Sequence, residues 1–290
     1  MKNLLINTTS YHKKATLSFL ALILLLIAAF SALPTAAKSC DDYLRDARAG
    51  NVEAQYYMGN AYLFGTCVER DPSVAATWFQ KAADQGHAGA QNNLGRLYED
   101  GNGVHQDYEK AAQLYTLSAN QGNAAAQDNL GWFYENGFSV KKDYDEAAKW
   151  YIAASEQGLY GAMNDLGSLG SRFIHGDGVP QDFDKGFEWV KIAAENGLTV
   201  AANEIGGLYK EGSGVKKDYM QAGIWYEKAA DATIEEGNYY FAQGDLQSAA
   251  YCFDQIEYYF LKAKECYQLA ANAGNSDAAK ALAKIIEKGY

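Results

Sequence analysis

Residues 90–122 read AQNNLGRLYEDGNGVHQDYEKAAQLYTLSANQG, and this stretch decides the fold. Ala90, Leu94 and Tyr98 recur every four residues, which places them on one face of an α-helix, and Gly95 follows the central apolar residue. A turn, Gly101-Asn102-Gly103-Val104, leads to Asp107 at an N-cap position, ahead of a second helix with the pair Ala111-Ala112 and Tyr115. Gly122 stands where a left-handed residue closes that second helix. The stretch therefore predicts helix, turn, helix, turn.

The same order recurs along the chain. The helix glycines Gly59, Gly95, Gly131, Gly167 and Gly206 are spaced 36, 36, 36 and 39 residues apart. The longer step comes from Gly170-Ser171-Arg172, which interrupts the fourth unit; removing the triplet restores the register. A glycine at this position lets a second helix approach closely, and the alanine pairs of the second helix do the same. Asp71-Pro72 puts proline at the first position of a second helix, where its missing N–H costs nothing. One helix pair cannot cover its own apolar faces, so stability has to come from stacked neighbours. The expected fold is all-α, a right-handed α/α superhelix.

On these residues the units resemble the Sel-one-like repeat, a relative of the tetratricopeptide repeat, with its pattern A-x-x-x-L-G-x-x-Y-x-x-G-x-G-V-x-x-D…W-Y…A-A-x-x-G. The resemblance covers residues 53–233 in five copies of the same order. Departures are the triplet in the fourth unit, Cys67 and Ser139 in place of the second turn glycine, Gly186 in place of an alanine, and Thr233 in place of a closing glycine. Beyond Thr233, the run Gly237, Tyr240, Gly244-Asp245, Ala249, Phe253 and Ile256 looks like an ordinary tetratricopeptide unit, and Asp277 to Lys288 reads as a capping helix. Whether residues 245–272 form one helix or two stays open. The expected organisation is a leader at 1–37, five Sel-one-like units with an N-terminal edge at 38–233, and a tetratricopeptide-like unit with its cap at 234–290.

The leader is read from Lys2, His12, Lys13 and Lys14 ahead of the apolar run Leu17 to Phe30, then Ser31 to Ala37 with small residues at Thr35 and Ala37. This is the pattern of a cleaved export signal; an uncleaved anchor helix, and with it a membrane-tethered scaffold, is the alternative. Lys38 just ahead of Cys40 argues against lipid modification of that cysteine. Loss of the leader removes three lysines and no acid, taking the formal net charge from −11 to near −14. Such a balance repels phosphate backbones and anionic lipid head groups, so neither nucleic acid nor, after cleavage, a membrane is an expected partner.

The cysteines after the leader are Cys40, Cys67, Cys252 and Cys266, an even number that permits disulfides in an exported protein. Cys40 with Cys67 is the preferred pair, because Cys67 takes a turn-glycine position beside the N-terminal edge. Cys252 and Cys266 are 14 residues apart, so on one continuous helix they would lie about 21 Å from each other and could not bond. His87, His105 and His175 each stand alone in turns, with no second metal ligand at helical spacing. The chain carries no G-x-S-x-G, phosphate-binding loop or H-E-x-x-H. No catalytic residue, metal or cofactor is expected, and the protein is not read as an enzyme.

Trp78, Trp150, Trp189 and Trp225 share one second-helix position, with Leu114 in the remaining unit, and read as core. Trp132 breaks that pattern. It follows the helix glycine, in a slot held elsewhere by Asn60, Arg96, Ser168 and Gly207. In tetratricopeptide-type arrays this slot, with those four before and three after it, faces the concave groove. The resemblance thus implies a column of Asn92, Arg96, Glu99, Asp128, Trp132, Glu135, Asn164, Asn203 and Lys210. Its amides and carboxylates suit an extended peptide backbone, Trp132 an apolar anchor, and Arg96 an acidic group. The plainer reading is a solvated face on which Asn happens to precede Leu-Gly. Exported bacterial members of the family imply an adaptor or scaffold for a protein or peptide partner, in host-cell contact or periplasmic assembly. The rival class is a β-lactam hydrolase, as associated with cysteine-rich relatives. Those relatives place a cysteine pair in each repeat; this chain does not.

Overall fold

Eleven of the thirteen described helices begin at a residue whose side chain accepts from the first turn. The computed structural model describes residues 38–290; the leader reading falls on residues 1–37, outside the described residues. Thirteen helices and no strand lie among the described residues. α1 (Cys40–Arg48) forms the N-terminal edge. Five pairs follow: α2 (Val52–Phe64) with α3 (Pro72–Ala83), α4 (Ala88–Asp100) with α5 (Tyr108–Ala119), and α6 (Ala124–Asn136) with α7 (Tyr144–Ser155), then α8 (Tyr160–His175) with α9 (Phe183–Glu195), and α10 (Thr199–Glu211) with α11 (Tyr219–Gln243). α12 (Leu246–Asn272) and α13 (Ser276–Glu287) complete the chain. Consecutive helices pack on each other throughout, as a solenoid requires.

Asp71, Asp107, Asp143, Asp182 and Asp218 cap the second helices; the Asp107 carboxylate accepts from the Lys110 N–H at 3.0 Å. The turn between the helices of a pair depends on Gly103, whose φ is +78° and whose Cβ, if present, would lie 2.4 Å from the Pro72 backbone. Ser139 occupies the same turn position one unit later and adopts a positive φ of 54° without a glycine's freedom.

The repeated helix glycine makes room for a ring of its own pair's second helix. A Cβ on Gly95 would come within 2.9 Å of Tyr115, and one on Gly131 or Gly206 within 2.8 Å of Tyr151 or Tyr226. Tyr115 and Tyr151 are fully buried, and their hydroxyls donate to Glu99 and Glu135. Pairs are then joined by an amide ladder whose inner side chains, Gln55, Gln91 and Gln127, are buried. The Gln85, Gln121 and Gln157 side chains donate to Gln55, Gln91 and Gln127, each at 2.7 Å. Those three acceptors donate in turn to the carbonyls of Ala47, Ala83 and Ala119. Every rung satisfies a polar group that burial would otherwise leave costly.

From the fourth unit on, the pattern changes. The inserted triplet is absorbed within α8, which runs 16 residues against 13 for α4 and α6. Its Gly170 packs against Gly186 of α9 so closely that a Cβ on either would sit within 2.8 Å of the other's carbonyl oxygen. At the end of α11, Thr233 holds the place where other second helices turn at a glycine. A β-branched residue resists a left-handed conformation, so the helix continues to Gln243 and stops at Gly244, φ +78°. The boundary read at 233/234 thus falls inside α11. Residues 246–272 form one helix, on which Cys252 and Cys266 are buried free thiols. Cys40 and Cys67 are disulfide-bonded, tying α1 to the turn after α2. Ala278 and Ile285 of α13 are buried against the array while its lysines face outward. No described helix is long and apolar enough to cross a membrane.

Candidate functional site

The first helices of neighbouring pairs meet through their polar side chains. Asn93 of α4 donates to Asn60 of α2 at 3.1 Å, and Asn129 of α6 donates to Asn92 of α4 at 3.0 Å. Between α6 and α8 the bond is ionic, Arg172 to Glu135. Between α8 and α10, Ser171 donates to Glu204 at 3.0 Å and His175 lies 3.3 Å from the same carboxylate. The nine residues expected to line the groove lie on this stripe, but in four different situations.

Arg96, Trp132 and Asn164 are exposed. Arg96 has no ion-pair partner among the described residues. Trp132 is 37% exposed, and one face of its ring stacks on Phe138 at 4.7 Å, so the indole is held in place rather than left to rotate. Asn92, Glu99 and Glu135 are held by the chain itself: Asn92 by Asn93 and Asn129, Glu99 by Tyr115, Glu135 by Tyr151 and Arg172. Asn203 and Lys210 are met by α12, through Lys262 at 2.9 Å and Glu265 at 3.0 Å. The long C-terminal helix therefore ends the open part of the stripe at the fifth unit.

Asp128 stands apart from all of these. It and Asp165 occupy the positions that Asn92 and Asn129 hold one unit earlier, so two carboxylates face where two amides bond. Asp128 Oδ1 is buried without a hydrogen-bond partner among the described residues. Its desolvation, and secondarily the charge of Asp165, push its pKa up to about 7. Asp165 is raised too, by desolvation and then by Glu135.

A cleft of about 270 Å³ opens between α8 and α10, lined by Asn164, Ser168, Ser171, Arg172, Val200 and Glu204 among others. Ser171 and Arg172 come from the inserted triplet. In the sequence the triplet is an interruption of the register, and the polar Ser171 and Arg172 within it are the signal that it contributes to the surface. With Trp132 and Arg96 upstream, the stripe offers an apolar anchor, a cation without an ion-pair partner among the described residues and a small polar cleft within the span of four helix pairs.

Comparison with known proteins agrees with this architecture. The Sel1 repeat model matches residues 52–87, 88–123, 124–159, 161–198, 199–233 and 260–275. The sixth match falls on the second half of α12, which packs as a second helix although no first helix of its own precedes it. Among solved structures, the chain is similar to a protective antigen of uropathogenic Escherichia coli strains displaying an SLR fold. The two are 31% identical with a TM-score of 0.55, over 88% of this chain and 60% of that one. It is also similar to a Sel1 repeat protein from Oxalobacter formigenes, 30% identical with a TM-score of 0.49, over 72% of this chain and 88% of that one. No curated protein matches the chain. With six repeat matches covering more than half of its length, the chain belongs to the Sel1 repeat family.

Proposed function

We propose that this protein is an exported scaffold that binds a polypeptide partner along the stripe running from Arg96 through Trp132 to Asn164. Sel1 repeat proteins generally serve as protein-interaction scaffolds, and the stripe supplies what such binding needs. The observation that carries the reading is Trp132: a large aromatic, fixed by Phe138, left exposed at a slot where other units place polar or small side chains. Buried aromatic anchors of this kind dominate binding energy in protein interfaces. Arg96 adds an unpaired cation for a partner carboxylate, and the cleft beside Asn164 a polar pocket for a side chain. Export is supported by the leader pattern and by the Cys40–Cys67 disulfide, since such bonds persist in oxidising compartments. Periplasmic assembly and host contact are both compatible with a scaffold of this kind.

The test is a crosslinking pull-down from native envelope and host-cell lysate with wild type, Trp132→Ala and the Arg96→Glu, Trp132→Ala pair. A partner held on the stripe should lose about 2 kcal/mol or more of binding with Trp132→Ala, roughly thirtyfold in recovered affinity. The variants should stay folded by circular dichroism, with Trp132→Ala losing about 0.5–1.5 kcal/mol of stability with its stack on Phe138. Capture that survives the double variant unchanged would place the partner elsewhere.

A further inference from the structure

A second surface lies at the edge of the array, beyond Val200 of the stripe's cleft. The helices α11 and α12 have 25 and 27 residues, about 37 and 40 Å, against 12 or 13 for the second helices of the first four pairs. Their far halves extend past the turns that lead into α8 and α10 and pack beside them. Between this extension and those turns run two adjoining clefts of about 520 and 460 Å³, which share Tyr160, Glu236 and Tyr240.

The chemistry of the lining is one-sided. It holds the carboxylates of Glu235 and Glu236, five tyrosines, and no lysine or arginine. Tyr160 is 54% and Tyr251 68% exposed, a large aromatic surface to leave in water. Glu236 is half-buried with neither an ion pair nor a hydrogen-bond donor among the described residues, and its desolvation raises its pKa. Elsewhere the chain covers such rings with its own cations: Lys228 lies 3.9 Å from the ring centre of Trp225, and Lys262 lies 4.5 Å from that of Tyr258. Tyr160, Tyr239, Tyr240 and Tyr251 have no such neighbour among the described residues.

Ring faces and an unpaired carboxylate together attract a cation, and a long apolar stem beneath that cation would cover the rings. We infer that this cleft docks a polypeptide segment that directs an arginine or lysine at Glu236 and lays flanking apolar side chains on Tyr160 and Tyr240. A polypeptide suits the two joined clefts, one for the cation and one, beside Met163 and Tyr239, for an apolar neighbour. The acidic lining rules against an anionic lipid surface. This site meets the stripe's cleft at Val200, but its carboxylates and tyrosines lie off the stripe, and it does not depend on it.

The experiment uses the full chain and two probes, fluorescein-Gly-Phe-Arg-Leu-Gly-amide and the same peptide with glutamate for arginine, followed by anisotropy. The arginine probe should bind, and the glutamate probe should bind at least about tenfold more weakly. Glu236→Gln and, separately, Tyr240→Ala should each weaken the arginine probe about tenfold or more. Glu236→Gln is close to isosteric, so an unchanged melt shows that the loss is not one of folding. Trp132→Ala should leave the probe's affinity unchanged. The inference is overturned if the two probes bind equally, if the arginine probe does not bind, or if Glu236→Gln has no effect. A loss confined to Trp132→Ala would overturn it while supporting the stripe. Binding of phosphatidylcholine vesicles that is lost in Glu236→Gln would overturn it in favour of a choline head group.

Discussion

The first three helix pairs and the part of the chain from α8 onward are built from the same repeat yet hold together differently. In the first three pairs the joints are identical in kind: a glutamine rung at 2.7 Å, an asparagine contact between first helices, and a ring seated on a glycine. At the joints of α8 each of these is replaced, while the ring on a glycine returns at Gly206 with Tyr226. The glutamine rung gives way to Asn196 donating to Ser155, the glycine Gly167 faces Leu198 instead of a ring, and the asparagine pair becomes Asp128 with Asp165. A regular array gains stability from interchangeable neighbours. An irregular one gains local surfaces: the cleft beside Asn164 and the aromatic cleft beside Glu236 both lie where the repeat is broken.

The largest effect should come from the regular half. Leu94 is fully buried in the core shared by α2 to α5. Leu94→Ala is expected to cost about 2–5 kcal/mol through lost burial and the cavity left behind. Because each pair contacts only its neighbours, the loss should stay local. Hydrogen exchange should quicken in α2 to α7 while α9 to α12 keep their protection. Uniform loss of protection along the whole chain would show that the two halves unfold as one unit.

How far the sequence discloses this division can be argued residue by residue. The helix pairs were legible because glycine spacing, aspartate caps and alanine pairs are local signals. The Cys40–Cys67 pair was legible as well, through a substitution at a turn position. The glutamine ladder was present as a recurrence, Gln55, Gln91 and Gln127 against Gln85, Gln121 and Gln157, but polar recurrence reads as a wet face until burial is known. The engagement of Asn203 and Lys210 was not legible, since Lys262 and Glu265 lie 59 and 55 residues further on and meet them only because Thr233 lets α11 run on. The aromatic cleft likewise joins Tyr160 to Tyr240 across eighty residues without a shared period. Of the expected groove column, the exposed part was legible in Trp132, which broke a pattern.

A substitution can make the joint between α6 and α8 resemble the one before it. Asp128 has a pKa near 7 in the folded protein against an ordinary value of 3.8, so the folded state binds more protons between those limits. Stability from this group therefore falls as pH rises from about 4 through 7. Asp128→Asn removes that loss and restores an amide where Asn92 has one. After discounting for partial exposure, the variant should be more stable than wild type by about 1–2 kcal/mol at pH 8, and by little at pH 5. Paired thermal melts at the two pH values check it. A gain of the same size at both would mean that hydrogen bonding, not charge, is the source.

The smallest gain separates capping from packing within the irregular half. The first helices α2, α4 and α6 are capped by the side chains of Asn51, His87 and Asn123, whereas Leu159 and Leu198 stand at the caps of α8 and α10 and accept nothing. If a missing cap were the whole difference, asparagine at either site would stabilise. Leu198, however, is fully buried over Gly167, where its methyl would lie 2.7 Å from an added Cβ, so it has exchanged a cap for core. Leu159 is only half-buried. Leu159→Asn should therefore gain about 0.5–1 kcal/mol from the new cap, while Leu198→Asn should lose more than a cap returns, because it opens a cavity and buries an amide. Denaturant midpoints moving in opposite directions would show that the leucines at these two caps serve different ends. Midpoints moving together would mean that the two joints are alike after all.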